Sequence, residues 1–215
     1  MVESTFIQNP MESFDEQSQL TVYFVQGVWD HGSEVGFIKK IEDNFQRLAE
    51  LIIKGLVYDF DREQTHAISS FYVLWTVREE TRNQPEQDGV LQGILSGCRW
   101  STHEEEELEK VGFAFQRGNT VPARVVNGLR IRVQVGRYLR QINPTAHWGI
   151  VQASDGEFVV PNWPVHAFVP INPALALANP ARNQRLDRDA VQLVNEQLRA
   201  ASRRYFFARD FAACP

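Results

Sequence analysis

The chain has 215 residues, 43% apolar and 11% aromatic, with a formal net charge of −5. That length suits one large domain or two small ones, and the aromatic content excludes a disordered or low-complexity chain. The opening MVESTFIQNPMESFDEQ lacks a basic segment followed by an apolar core, and the longest nearly unbroken apolar stretch, FYVLWTV at 71–77, is too short to span a bilayer. The expectation is a soluble, cytoplasmic protein with no membrane partner. Cys98 and Cys214 stand in neither disulfide nor metal spacing and are expected to be reduced thiols.

The net charge hides an asymmetry. Residues 1–110 carry 21 acidic against 9 basic side chains, residues 111–215 carry 6 against 13, and all 13 of those bases are Arg. The planar guanidinium fork suits carboxylate and phosphate partners. An anion or acidic-partner site on the C-terminal half is one reading. Mutual neutralisation of two halves packed together is the other.

Taken in chain order, SEVGFIKKIEDNFQRLAELIIKG spaces Phe37, Ile38, Ile41, Phe45, Leu48 and Ile52 along one face of a helix from about residue 33 or 34 to 54, stopped by Gly55. DREQTHAISSFYVLWTVREETR opens on Asp61 and Gln64 as a capping box and becomes apolar nearly all round at 71–77, which predicts a central helix with Phe71 fully buried. Residues 82–91 read as a polar loop, and STHEEEELEKVG as a helix with a second capping box at Ser101 and Glu104. Leu129, Ile131, Val133 and Val135 alternate with Arg130, Arg132 and Gln134, which favours a strand. A helix from Pro122, capped by Thr120, is the alternative for this segment.

Residues 148–152 and 157–160 read as a hairpin through Ser-Asp-Gly, 166–171 as a third strand, the segment after Asp187 as a helix with Val191, Val194, Leu198 and Ala201 on one face, and 204–210 as a closing strand. Pro161, Pro164, Pro170 and Pro173 mark the ends of extended pieces, since proline donates nothing to a ladder. The stiff turn Pro-Asn-Trp-Pro is expected to project Asn162 and Trp163; a Trp163 folded back over the sheet is the alternative. No repeat or long linker interrupts the chain. The expectation is one α+β domain, 1–215, in which a mainly helical part (about 20–125) packs on a small, mostly antiparallel sheet in a mixed part (about 126–215).

The order of these features resembles an uncharacterised bacterial family, domain-of-unknown-function family 4238, from about Phe37 to Asp210. FYVLWTVREETR is similar to the family's helix with an Arg-rich exit, WGIV to its Trp-hydrophobic-hydrophobic step, and FVVPNWPV to its Phe-Ile-Thr-Ser-Asp-Asn-Pro-Val. FVPINPALAL and LVNEQLRAASRRYFFARD resemble the Pro-rich strand and closing helix-strand that follow. The family's initial His-Tyr-Val-Pro is missing, and Asn162 and Trp163 stand where the family has Asp and Asn. The resemblance implies a helical segment before Trp148 and supplies no established reaction.

Candidate chemistry is sparse. His103 with Glu107, and Asp59, Asp61 and His66, have donor types a metal could use, but acids at helix starts and caps account for them without one. Asp30 and His31 read as a turn. There is no Gly-rich phosphate loop or Gly-x-Ser-x-Gly motif, and no metal or cofactor is assigned. Two function classes follow. One is a protein-interaction factor of the kind found in mobile-element or phage defence and counter-defence loci, docking an unidentified protein partner. The other is an effector enzyme or nucleic-acid-binding protein acting on a phosphate-containing substrate. Binding is assigned to Asn162, Trp163, His166, Arg78, Arg82, Arg130, Arg132 and Arg137, with Asp59 and His166 as the proton-transfer candidates.

Overall fold

The structure, a computed structural model, describes residues 5–8, 30, 32–82, 87–93 and 100–215. Its helices are α1 (Lys39–Ile53), α2 (Arg62–Thr81), α3 (Thr102–Lys110), α4 (Ala123–Ile142) and α5 (Arg188–Ala201). Its class is α+β, with helices mostly in the N-terminal part and strands mostly in the C-terminal part. The helical part runs on to Ile142, beyond the turnover expected near residue 125.

A π-helical stretch, Gly32–Ile38, leads into α1. Asp30 fixes its start: the carboxylate accepts from Ser33 N at 2.9 Å and from Ser33 Oγ at 2.6 Å. The apolar stripe legible in the sequence is buried at Ile38, Phe45, Leu48 and Ile52. The Asp61–Gln64 capping box of α2 forms in both directions, at 2.8 and 3.1 Å. Ser101 and Glu104 do the same for α3. Helix α2 is central in that it packs against both α1 and α4 and meets the larger sheet at Trp148, whose Nε1 donates to buried Ser69 Oγ at 2.9 Å. It is not, however, enclosed all round. Val73, Leu74 and Val77 are fully buried, whereas Phe71 and Trp75 are half-buried. Phe71 stacks flat on Phe45, ring centroids 3.9 Å apart, at a groove shared with Pro170 and Ile171.

The polar loop expected at 82–91 contains β2 (Gly89–Val90), which pairs antiparallel with β3 (Thr120–Val121); residues 83–86 lie outside the described residues. This ribbon prepares α4. The carboxylate of Asp88 accepts from Ala123 N at 2.9 Å and so caps the helix, whereas Thr120, the expected cap, is held in β3 and donates its hydroxyl to Arg117 O. The strand reading of 129–135 is therefore corrected to helix, as the family resemblance implied. Ile131 and Val135, four residues apart, are buried on Val73, Leu74 and Val77. Gly128 is required where α4 passes the π-helical start, since a Cβ there would meet the Asp30 carboxylate at 1.5 Å. The other two members of the alternation, Leu129 and Val133, face outward, 59% and 68% exposed.

The C-terminal part forms two sheets. The larger has the order β6 (Phe168–Asn172), β7 (Leu175–Ala178), β4 (Gly149–Ala153) and β8 (Gln184–Leu186), antiparallel except for β4 with β8. The smaller places β9 (Tyr205–Ala208) between β1 (Thr5–Gln8) and β5 (Val160–Pro161). The expected hairpin of 148–152 with 157–160 is corrected, because β4 and β5 belong to different sheets. Phe158 and Val159 instead cross between them, fully buried, and Asn195 on α5 holds the crossing through Val159 N at 2.9 Å and Glu157 O at 2.8 Å. Pro161 and Pro170 occupy edge strands, with a register shift after Pro170, which is where prolines cost no ladder bond. Asp187 caps α5, as expected, by accepting from Ala190 N at 3.0 Å.

The direction of α4 makes a sharp contrast within one helix. Ile131→Ala removes a fully buried side chain and is expected to cost about 2–5 kcal/mol, whereas Leu129→Ala, two positions away, should stay within about 0.5 kcal/mol of the parent. Urea denaturation of the two variants measures both. Equal losses would put residues 129–135 back in a strand or a different register.

Candidate functional site

The residues singled out in the sequence fall in three places. At the Pro161–Pro164 turn, Asn162 does not project. It is 7% exposed, and its Oδ1 accepts from Arg203 N at 3.0 Å and Arg204 N at 3.2 Å, while its own N–H donates to Tyr205 O at 3.1 Å. The stiff turn thus fixes the bend that joins α5 to β9. Trp163 takes the folded-back alternative, half-buried against the core formed by the strands and α5. Over the Trp163 ring, 3.3 Å from its centroid, lies the guanidinium of Arg203. Stacking a guanidinium on an indole leaves its N–H donors free to point outward in the plane.

The last turn of α2 carries another of the assigned arginines. Glu79 is half-buried and carries Arg82 one turn on, 3.6 Å away. The charges of Arg82, Arg204 and Arg203 all favour its ionised form, yet burial outweighs them and raises its carboxyl above the usual range. Among the residues assigned to binding, the structure therefore joins Trp163 and, as a positioning group, Asn162, while Arg82 pairs with Glu79. Arg78 points the other way, to Glu42 on α1 at 2.6 Å.

The second place is the outer face of α4. Its exposed residues are Leu129, Arg130, Arg132, Val133, Arg137, Arg140 and Gln141, and the helix contains no Asp or Glu. Arg132 is braced at its base, Nε donating to Ser33 Oγ at 3.1 Å with the Phe37 ring 5.9 Å away. Gly136, one turn beyond Val133, has open space where a Cβ would stand. A helix-interior glycine costs about 1 kcal/mol relative to alanine, and no packing within the described fold accounts for this one.

The remaining candidates are dispersed. His166, with φ 50°, is exposed beyond the turn, and Asp59 is exposed between α1 and α2; no described contact joins them. Asp61 is spent on its cap, and His66 sits between Asn143 (3.0 Å) and Ser70 (3.5 Å). Glu107 pairs with Lys110 at 2.7 Å. Among the described residues no group of three His, Cys, Asp or Glu is placed to hold a metal ion. His31 and Cys98 lie outside the described residues. Cys214 is buried, and burial together with the nearby Glu157 charge pushes its thiol up.

Sequence reasoning missed Arg203, Arg204, Glu79 and Gly136. The Arg-Arg doublet between a helix and a strand was a visible signal of charge, but its contact with Trp163 spans 40 positions and has no local signature. Set against models of known families, curated proteins and solved structures, the chain matches none. Among the described residues no helix is long and apolar enough to cross a membrane.

The raised carboxyl of Glu79 fixes the sign of a pH effect. The folded state keeps this proton to a higher pH than the unfolded chain does. The resulting stabilisation is full below the ordinary carboxylate range and disappears as pH rises through the folded value. Glu79→Gln, which cannot ionise, should match the parent near about pH 4 and exceed it in stability near about pH 7. Denaturation curves at both values measure the difference, and a variant less stable at neutral pH would mean that the ionised Glu79 is an asset.

Proposed function

We propose that the protein is a protein-interaction module that docks an acidic amphipathic helix of a partner on α4, and that it is a divergent relative of domain-of-unknown-function family 4238. It works in a reducing compartment such as the cytoplasm, where Cys214 stays a buried thiol. The observation that carries the reading is the composition of one helix face: two aliphatic side chains, a bare glycine and a surround of arginines, with no acid anywhere in α4.

Each part has a physical use. Leu129 and Val133 at helical spacing supply apolar anchors, and Gly136 lets a second backbone approach closely beside them. Arg137 and Arg140 can meet carboxylates on the partner, which favours acidic segments and rejects basic ones. The competing class, binding along a nucleic-acid backbone, uses the arginines but gains nothing from exposed Leu129 and Val133.

That difference is the test. Val133→Asp alters an exposed position and should leave thermal stability nearly unchanged, whereas Gly136→Leu replaces a helix glycine that has open space where a Cβ would stand and should raise stability by up to about 1 kcal/mol. Each should abolish retention of the partner that the parent protein captures from native, nuclease-treated lysate, and added salt should weaken that capture only moderately. Retention that vanishes on nuclease treatment, or that survives both variants while Arg130→Gln with Arg137→Gln removes it, would replace this reading with the nucleic-acid class.

A further inference from the structure

Helix α3 displays, on this same chain, the kind of segment that the α4 face fits. Its inner side is spent on its own fold, where Glu105 and Glu109 pair with Arg117 and Arg124 beside the start of α4. Its outer side is not. Glu104, Glu107 and Val111, at i, i+3 and i+7, share one face and are all exposed. Val111 is 67% exposed, and Phe113, just past the end of the helix, is 64% exposed, so the acidic stripe runs on into two apolar side chains that face water. Glu107 is held only by Lys110, an exposed pair that contributes little and can be exchanged. Glu104 closes the Ser101 box through Oε2 and keeps its charge.

We infer, resting on the docking role proposed for α4, that its occupant is helix α3 of a second copy of this chain, laid antiparallel across it. Backwards along α4, Arg140, Arg137 and Val133 repeat the spacing that Glu104, Glu107 and Val111 have forwards along α3: three residues, then four. Each run covers about 10 Å at the helical rise of 1.5 Å per residue. Two acids thus come opposite two guanidinium groups, Val111 comes opposite Val133, and Phe113 is carried on toward Leu129. A parallel arrangement would set the acids on Leu129 and Val133 and the arginines on Val111 and Phe113, so charge and apolar order together fix the direction. Two α4 faces cannot pair with each other, because arginine would face arginine and neither helix holds an acid. The contact is therefore between unlike surfaces, and every copy offers both.

The test is sedimentation equilibrium of the full chain over a concentration series at low and high salt. The mean mass is expected to rise above that of the monomer with concentration, and to do so less as salt screens the paired charges. Glu107→Arg and Arg137→Glu should each weaken self-association about tenfold or more, and the two changes together on one chain should restore most of it, since each copy then offers the reversed charges to the other. Within one chain Glu107 pairs with Lys110 and no described contact joins it to Arg137, so a fold-level effect gives no such rescue. Glu106→Arg reverses an equal charge off the stripe and should associate as the parent does.

A monomer mass at every concentration overturns the proposal, as does parent-like association of both single variants, an equal loss in Glu106→Arg, or a double variant no better than the singles. If circular dichroism shows Glu107→Arg to be unfolded, Val111→Asp on the same face takes its place and should weaken association as strongly as Val133→Asp. Failure here and failure of the docking reading are distinguishable. A monomeric chain that still captures a partner from lysate, and loses it in Val133→Asp, removes the second copy as occupant and keeps α4 as the docking face.

Discussion

Ile131 and Val135, seated on Val73, Leu74 and Val77 of α2, decide which way α4 faces, and the composition of its outer face follows from that contact. Once these two side chains point inward, helical geometry sends Leu129 and Val133 outward together with Arg130 and Arg137. The same seat brings Gly128 against Asp30, which fixes the π-helical start of the first helical stretch, and lets Tyr138 donate to the Glu80 carboxylate at 3.0 Å. A strand over 129–135 would have buried all four aliphatic residues on one face. The helix instead leaves half of them in water, where they serve no purpose within the described fold.

The division of charge between the two halves is resolved only in part by their packing. Glu105, buried among mostly exposed acids on α3, pairs with Arg117 and Arg124, and Arg124 also pairs with Glu109. The Arg117 fork holds the Glu105 carboxyl below the usual range, against the opposing effect of burial. These contacts follow the neutralisation reading of the sequence. Arg137 and Arg203 do not: the first stands on an exposed face without acids and the second on an aromatic ring. Both readings of the charge asymmetry thus apply, each to different arginines.

What the sequence shows well is whatever is decided within one turn of the chain. The boxes at Asp61 and Ser101 and the cap at Asp187 are side chains bonding three residues ahead, so their residue types announce them. What it hides is decided at a distance. Helix α4 takes its cap from Asp88, 35 positions back, so although Pro122 offered a local start signal, the side chain that caps the helix had none. The runs of β4 and β5 have a turn between them with the composition of a hairpin, yet their partners are β7 and β9, and only the buried Phe158–Val159 crossing separates the two sheets. Asn162 looks like a projecting turn residue because asparagine usually is one. Its burial depends on two backbone N–H groups 41 and 42 positions later.

The last turn of α2 is tied down on two sides. Glu79 and Glu80 are neighbours in sequence and about 100° apart on the helix, so one pairs with Arg82 and the other meets Tyr138 on α4. Thr81, the next residue, is buried and donates its hydroxyl to Val77 O at 2.8 Å, which keeps this turn packed rather than frayed. The Trp163 turn is also held: two prolines, the Asn162 bonds and the Arg203 stack on the indole fix it. The α4 face is built differently, from exposed side chains on a helix whose inner face alone is fixed. On the proposed docking, such a face suits a long partner whose affinity comes from area and charge, and an acidic helix meets both requirements.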